Sequence, residues 1–339
     1  MIVGSLPAGV EIFSTCPASN GFSRHDYLRR IEEVARWSDD ADYRGILVYT
    51  DNRIVDPWLV AQLILQSTRS LSPLVAVQPL YMHPFTAAKM VASLAFLHGR
   101  RIYLNMLAGG FKTDLVALGD ETPHDERYAR TVEYTLILKR LLASSGPVSF
   151  EGDYYRLSNA VLGPPLPPEL FPGILISGSS EAGLAAAHTI GATAVKYPNA
   201  ATEENDRNGD GVPVGIRVGV VARETSDEAW AVARVRFPAD RKGQIAHALA
   251  MKASDSQWHS ELSELGEELQ EGPYWLHPFK NYKTFCPYLV GSYERVGAEL
   301  AHYRRLGFTT FILDVPASRE DFRHVELAFG LATTGTVGA

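Results

Sequence analysis

The chain has 339 residues, 46% hydrophobic and 21% charged, an ordinary globular composition with enough apolar sequence for one large core or two smaller ones. A formal net charge of -7 and a pI near 5.8 exclude a field that would hold a polyanion, so nucleic acid is not expected as a main partner. Two cysteines, Cys16 and Cys286, are too few for a disulfide framework and lack metal-ligand spacing. No run reaches the ~18 apolar residues of a membrane span, and the N-terminus has no basic region followed by an apolar core, so a cytosolic protein with no membrane contact is expected.

In chain order, "GVEIFST" (9–15) predicts a strand, and "SRHDYLRRIEEVARWSDDAD" a helix with apolar residues at Tyr27, Leu28, Ile31, Val34, Ala35 and Trp37. "RGILVYT" (44–50) predicts a strand before a helix that starts near Asp56 and Pro57, an acidic cap followed by proline in the first turn. "SPLVAVQPL" (72–80) precedes the helix "PFTAAKMVASLAFLHG", which closes on a glycine. "RIYLNMLAG" (101–109) leads through a long loop to the helix "HDERYARTVEYTLILKRLLASS". A polar and aromatic excursion, "GPVSFEGDYYRLSNAVLGPPLPPELFPG", then interrupts the rhythm before "GILISGS" (173–179). "ATAVKYP", "VGIRVGVVARE" and "FTTFILDVP" complete eight apolar strands, the last two followed by helical "SDEAWAVARVRF" and "REDFRHVELAFGLAT".

Apolar strands alternating with amphipathic helices imply a parallel sheet covered on its faces, and eight such units a (β/α)8 barrel. A doubly wound open sheet would want a GxGxxG turn after the first strand, and "STCPASNGFS" does not supply it. A barrel of ~250 residues plus insertions accounts for the length. A single barrel domain over 1–339 is therefore expected, with insertions near 110–123, 146–172 and 238–290.

In such a barrel chemistry gathers where strands end and helices begin. At one of these junctions Gly178, Ser179 and Ser180 precede a helix that starts at Glu181. A plain serine N-cap and a phosphate cradle of helix N–H donors both fit that pattern. His124 and Tyr128, four apart at another helix start with Arg127 and Arg130 nearby, allow the same two readings, with Thr122 or Asp125 as the plain cap. "DRNGDG" resembles the start of a calcium loop, but the twelfth position from Asp206 is Arg217, a cation where a carboxylate is needed. The first strand lacks metal-binding histidines, and neither a G-x-S-x-G elbow nor a P-loop appears, so no metal is expected. Polar or aromatic groups at strand ends are Asp51, Asn52, Arg53, Gln78, Tyr81, His83, Asn105, Lys196, Tyr197, Arg217 and Asp314. Asn105 and Gln78 lie in strands that should be buried, where each amide needs a partner that a ligand can provide.

Taken together, "LVAVQP", "NMLAGG", "HDERYAR", "FEGDYYRLSNAVLGPP", "ILISGSSEAG", "GIRVGVVARETSDEAW" and "LGFTTFILDVP" resemble the luciferase-like flavin monooxygenases, most of all their alkanesulfonate monooxygenase branch. The resemblance implies a (β/α)8 barrel that takes reduced FMN from a separate NAD(P)H:flavin reductase. There the flavin reacts with O2 to form a C4a-(hydro)peroxide, and one oxygen is inserted into a small organic substrate. It implies a flavin ring against Val75, Ala76 and Val77, where a non-prolyl cis peptide is common, and contacts from Asp51 and Asn105. It also implies phosphate contacts from His124, Tyr128, Gly178, Ser179 and Ser180. Arg217 matches an active-site arginine that would stabilise an anionic substrate group or the flavin peroxide. His83 is the candidate proton carrier, with a plain helix-entry histidine before Pro84 as the alternative, and Tyr81 and Trp275 would line the substrate pocket. A homodimer or homotetramer is the implied assembly.

The departures are Ile54, Gly219 and Val315, where the sulfonate enzymes carry cysteine, histidine and tyrosine, together with the aromatic segment 272–290. They argue against sulfonate cleavage. Two alternatives stay open: F420-dependent hydride transfer on the same barrel, and a non-catalytic flavin-binding barrel.

Overall fold

The computed structural model describes residues 8–109, 112–178, 180–208, 211–253, 263 and 272–334. Its elements in chain order begin β1 (Glu11–Thr15), α1 (Arg24–Asp40), β2 (Gly45–Val48), α2 (Pro57–Ser67), β3 (Ser72–Val77), α3 (Pro84–His98), β4 (Tyr103–Met106), α4 (Lys112–Ala117) and α5 (His124–Ala143). They continue with β5 (Val148–Glu151), β6 (Arg156–Ala160), β7 (Gly173–Ser177), α6 (Glu181–Ile190), β8 (Thr193–Lys196), β9 (Val214–Arg223), α7 (Ser226–Arg236) and α8 (Arg241–Ala253). β10 (Tyr274–Trp275), α9 (His277–Lys280), β11 (Tyr288–Ser292), α10 (Tyr293–Arg305), β12 (Phe308–Leu313) and α11 (Arg319–Thr334) complete the series. Strands β1, β2, β3, β4, β7, β8, β9 and β12 are the eight apolar segments expected from the sequence, and the architecture is the (β/α)8 barrel. By its internal contacts the chain divides into two compact units, residues 16–194 and residues 1–15 with 195–339.

In residues 16–194, β2, β3, β4 and β7 are consecutive parallel neighbours, with Leu47 opposite Leu74, Ala76 opposite Asn105 and Asn105 opposite Leu175. Every residue of β2, β3 and β4 is buried, which is why these strands read as continuous apolar runs rather than alternating ones. The helix ends are set by local chemistry. Asp56 accepts the Trp58 N–H ahead of Pro57, and Gly99 closes α3 in the left-handed conformation at φ 62°. The excursion after α5 folds as the antiparallel hairpin β5–β6. It is tied to α5 by the Glu133 carboxylate, which accepts the backbone N–H groups of Asp153, Tyr154 and Tyr155. The only cis peptide among the described residues is Gly163–Pro164, so the bonds of β3 are trans.

In the other unit, β12 lies between β1 and β9, with Ile12 opposite Phe311 and Ile312 opposite Arg217. β9 is ten residues long and changes partner halfway. Residues 214–218 pair with β12, and residues 219–223 pair with β11, which the sequence pattern did not reveal. β10 adds antiparallel to β11. α7 opens with a reciprocal cap in which Thr225 and Glu228 each accept the other's backbone N–H.

Candidate active site

β7 ends at Ser177, and the chain turns through Gly178 at φ +152° into α6. Ser180 caps that helix, its Oγ accepting the Gly183 N–H at 3.1 Å. Tyr128, one turn into α5, donates its hydroxyl to the Ser177 carbonyl at 3.3 Å. A Cβ on Gly178 would lie 2.1 Å from that hydroxyl oxygen, so only glycine fits. His124, at the first position of α5, meets the Tyr128 ring edge-on at 5.2 Å and donates from Nδ1 to Asp125 at 2.7 Å, which leaves Nε2 for a ligand. The structure thus brings His124, Tyr128, Gly178 and Ser180 together where two helices start, and such starts present N–H donors and a partial positive charge to an anion. Ser179 lies outside the described residues. Neither Thr122 nor Asp125 caps α5: Pro123 holds the cap position, and the Thr122 hydroxyl donates to Asp120 at 2.6 Å. Burial raises the Tyr128 phenol against a hydrogen bond with Ser180, so it serves as a neutral donor.

The groups that fix this junction are Arg127 and Arg130, which the sequence placed nearby, and Asp120, which it did not single out. Arg127, 3% exposed, donates to the carbonyls of Thr122 at 2.9 Å and Gly109 at 3.5 Å. Arg130 donates to both oxygens of Asp120, at 3.2 and 2.6 Å. Burial alone would raise the Asp120 carboxyl, but hydrogen bonds from Arg130 and Thr122 hold it down at about 2. The two arginines anchor both ends of the 110–123 excursion and so place His124 and Tyr128. The local signal was the Asp120–Thr122 turn, in which Asp120 accepts both the Thr122 N–H and its hydroxyl.

The expected ring wall is buried, Val75, Ala76 and Val77 being at most 2% exposed, with Asn105 beside Ala76 in the register. Asn105 accepts the Ser177 hydroxyl at 2.9 Å, which ties β4 to the strand that leads into Gly178. Asp51 forms a local turn, accepting the Arg53 N–H at 2.6 Å. Tyr81 donates to Asn52 at 2.6 Å, and Asn52 in turn donates to the Asp114 carbonyl at 3.1 Å. Burial, with Asp114 and Asp51 nearby, pushes the Tyr81 phenol up to about 12. His83 is exposed and caps α3, its Nδ1 accepting the Phe85 N–H at 3.2 Å, while its ring meets Tyr155 edge-on at 5.8 Å.

Arg217 and Trp275 belong to the other unit. Arg217 donates to the Tyr197 hydroxyl at 3.3 Å and lies 3.7 Å from Asp314. The second oxygen of Asp314 accepts from Thr284 at 2.6 Å and from Tyr288 at 2.8 Å. Trp275 stacks on His277 at 5.2 Å and meets Trp230 and Phe237 edge-on at 5.3 and 6.1 Å, an aromatic cluster against α7. Among the described residues no group of three or more His, Cys, Asp or Glu side chains is placed to hold a metal ion, and no helix is long and apolar enough to cross a membrane.

Residues 10–310 match the profile of the luciferase-like monooxygenases. BtrO of Niallia circulans, a 4-(gamma-L-glutamylamino)butanoyl-BtrI acyl-carrier protein monooxygenase, is 35% identical over 326 residues, which cover 93% of this chain and 95% of that protein. Among solved structures, the long-chain alkane monooxygenase LadA superimposes with a TM-score of 0.73 at 18% identity, covering 96% of this chain and 92% of its own. The oxygenating constituent of 3,6-diketocamphane monooxygenase from Pseudomonas putida, solved in complex with FMN, does so with a TM-score of 0.69 at 15% identity over 95% of this chain and 96% of its own. The sequence matches and the shared barrel carry one conclusion: the chain belongs to the luciferase-like monooxygenase family and is an oxygenase enzyme.

Proposed function

We propose that the chain is the oxygenating component of a two-component system in the cytoplasm, using reduced FMN from a separate NAD(P)H:flavin reductase and O2 to oxygenate an organic substrate. The observation that carries this reading is the cradle around Gly178. A bare Cα, the capped start of α6, the Tyr128 hydroxyl and the His124 ring suit a terminal phosphate, and the buried Val75–Ala76–Val77 strand suits a flat apolar ring. Reduced FMN, when bound, supplies the electrons that activate O2.

This chain's part is to bind, orient and exclude water. The amides ahead of Glu181 and His124 Nε2 hold the phosphate. Asn105 holds the polar chain between phosphate and ring, and Asp51 is assigned to the cofactor. The small Ala76 lets the ring lie flat, and the fully apolar wall keeps water away from it. His83, whose Nδ1 is taken by the helix cap, has Nε2 as the atom that moves a proton. Tyr81 is assigned to the substrate. The substrate of the 35%-identical relative makes an acyl group on a carrier protein the first to offer, beside the corresponding free acid. The apolar helix α2, without a charged residue and with Leu59 63% exposed, supports a homo-oligomer, which light scattering would measure.

The decisive experiment is Ser180→Asp. Aspartate caps helices as well as serine, so the urea midpoint should hold, while its charge faces the phosphate. FMN affinity should fall about tenfold or more, ~1.4 kcal/mol, with riboflavin affinity unchanged. Equal loss for both flavins, or for neither, would refute the phosphate cradle, and tighter binding of reduced F420 than of reduced FMN would reassign the cofactor.

A further inference from the structure

The polar cluster around Arg217 lies entirely within one unit and is built in layers. Tyr288 is paired in register with Gly219, and a Cβ at that glycine would sit 2.3 Å from the Tyr288 ring. Glycine at 219 is therefore the condition for the phenol to cross β9 and reach Asp314. Tyr288 and Thr284 both donate to Asp314 Oδ2, which fixes the carboxylate plane and turns Oδ1 toward Arg217 Nη2, 3.7 Å away. The side chains of Arg217 and Asp314 keep 13% and 11% exposure, enough to meet a ligand without being washed by solvent. Beside the pair, burial raises Tyr197, Tyr288 and Cys286, and the Asp314 charge adds to it for each, which keeps these three groups neutral.

An anion approaching Arg217 is attracted by the guanidinium and repelled by the Asp314 carboxylate, whose Oδ1 lies 3.7 Å from Nη2. A carbonyl or amide oxygen needs only an N–H donor and suffers little of that repulsion. We infer that Asp314 is a specificity-determining residue that makes the Arg217 position select an uncharged acyl, amide or ester oxygen and reject free sulfonate or carboxylate groups. This rests on the proposed oxygenase function, with Arg217 taken as the active-site arginine that the family resemblance implies and facing the substrate rather than the flavin peroxide.

The test titrates sodium methanesulfonate and sodium acetate, at constant ionic strength, into the full chain and into Asp314→Asn, read by calorimetry without flavin. The wild type should bind neither anion detectably, and Asp314→Asn should bind methanesulfonate at least about tenfold more tightly. That gain should vanish in Asp314→Asn with Arg217→Met. Asp314→Ser repeats the test with a shorter neutral side chain should the asparagine variant fold poorly. Tight anion binding by the wild type, or folded neutral variants that gain none, would overturn the inference. FMN fluorescence quenching on the same samples reports separately on the cofactor, so a protein that ignores FMN but gains an anion site on loss of Asp314 would sink the flavin reading and leave this one standing.

Discussion

Replacing Gly178 with alanine puts one methyl group at the point where β7, α5 and α6 meet. The new Cβ would lie 2.1 Å from Tyr128 Oη and 3.0 Å from Cζ, so the phenol must swing away from the Ser177 carbonyl. The backbone at φ +152° is also one that a side chain resists. Holding alanine there costs ~1–3 kcal/mol, and losing the Tyr128 hydrogen bond adds ~0.5–1.5 kcal/mol. A loss of about 1.5–4.5 kcal/mol in urea unfolding is expected from the two together. Because the displaced phenol moves into the space assigned to phosphate, FMN should bind about tenfold or more weakly by fluorescence quenching, with riboflavin nearly unaffected. Tyr128→Phe removes the atom in closest conflict. Added to Gly178→Ala it should recover part of the loss, giving a coupling of about 1 kcal/mol or more in a double-mutant cycle. Additive effects, or a Gly178→Ala protein with wild-type stability and FMN affinity, would refute the geometry from which the cradle is argued.

Two further expectations concern stability and reactivity. Asp120 has its folded pKa depressed to about 2, below the unfolded ~3.9, so its contribution of roughly 2 kcal/mol is present above pH ~4 and is lost as pH falls through 2. Urea unfolding measured from pH 5 downward should flatten in Asp120→Asn relative to wild type, and an unchanged slope would contradict the clasp. Cys16 and Cys286 are fully buried and burial raises both thiols, so a thiol reagent should label neither at neutral pH until the protein is unfolded. Rapid labelling of the native protein would count against their placement.

The secondary structure was legible wherever its cause lies within a few residues. The eight barrel strands stood out because buried parallel strands are apolar on both faces, and the Asp56–Pro57 start, the Gly99 stop and the Ser180 cap are each made between near neighbours. β11 was hidden: its short run "YLVGS" becomes a strand because β9 continues five residues beyond its pairing with β12 and offers a free edge. The hairpin β5–β6 was likewise seen only as an excursion, since its anchor, Glu133, lies on the preceding helix.

The candidate site divides in the same way. That serine and glycine stand at a strand-to-helix junction, and that His124 and Tyr128 share a helix face, follows from residue order, because a helix repeats every 3.6 residues and a cap reaches two or three. That Tyr128 leans on Ser177 beside Gly178, that Asp120 holds Arg130, and that Tyr288 crosses Gly219 to fix Asp314 were decided by the tertiary structure. Each of those contacts joins residues at least ten apart, a separation at which side-chain neighbours are set by how strands and helices pack, and no local rule of the chain encodes them.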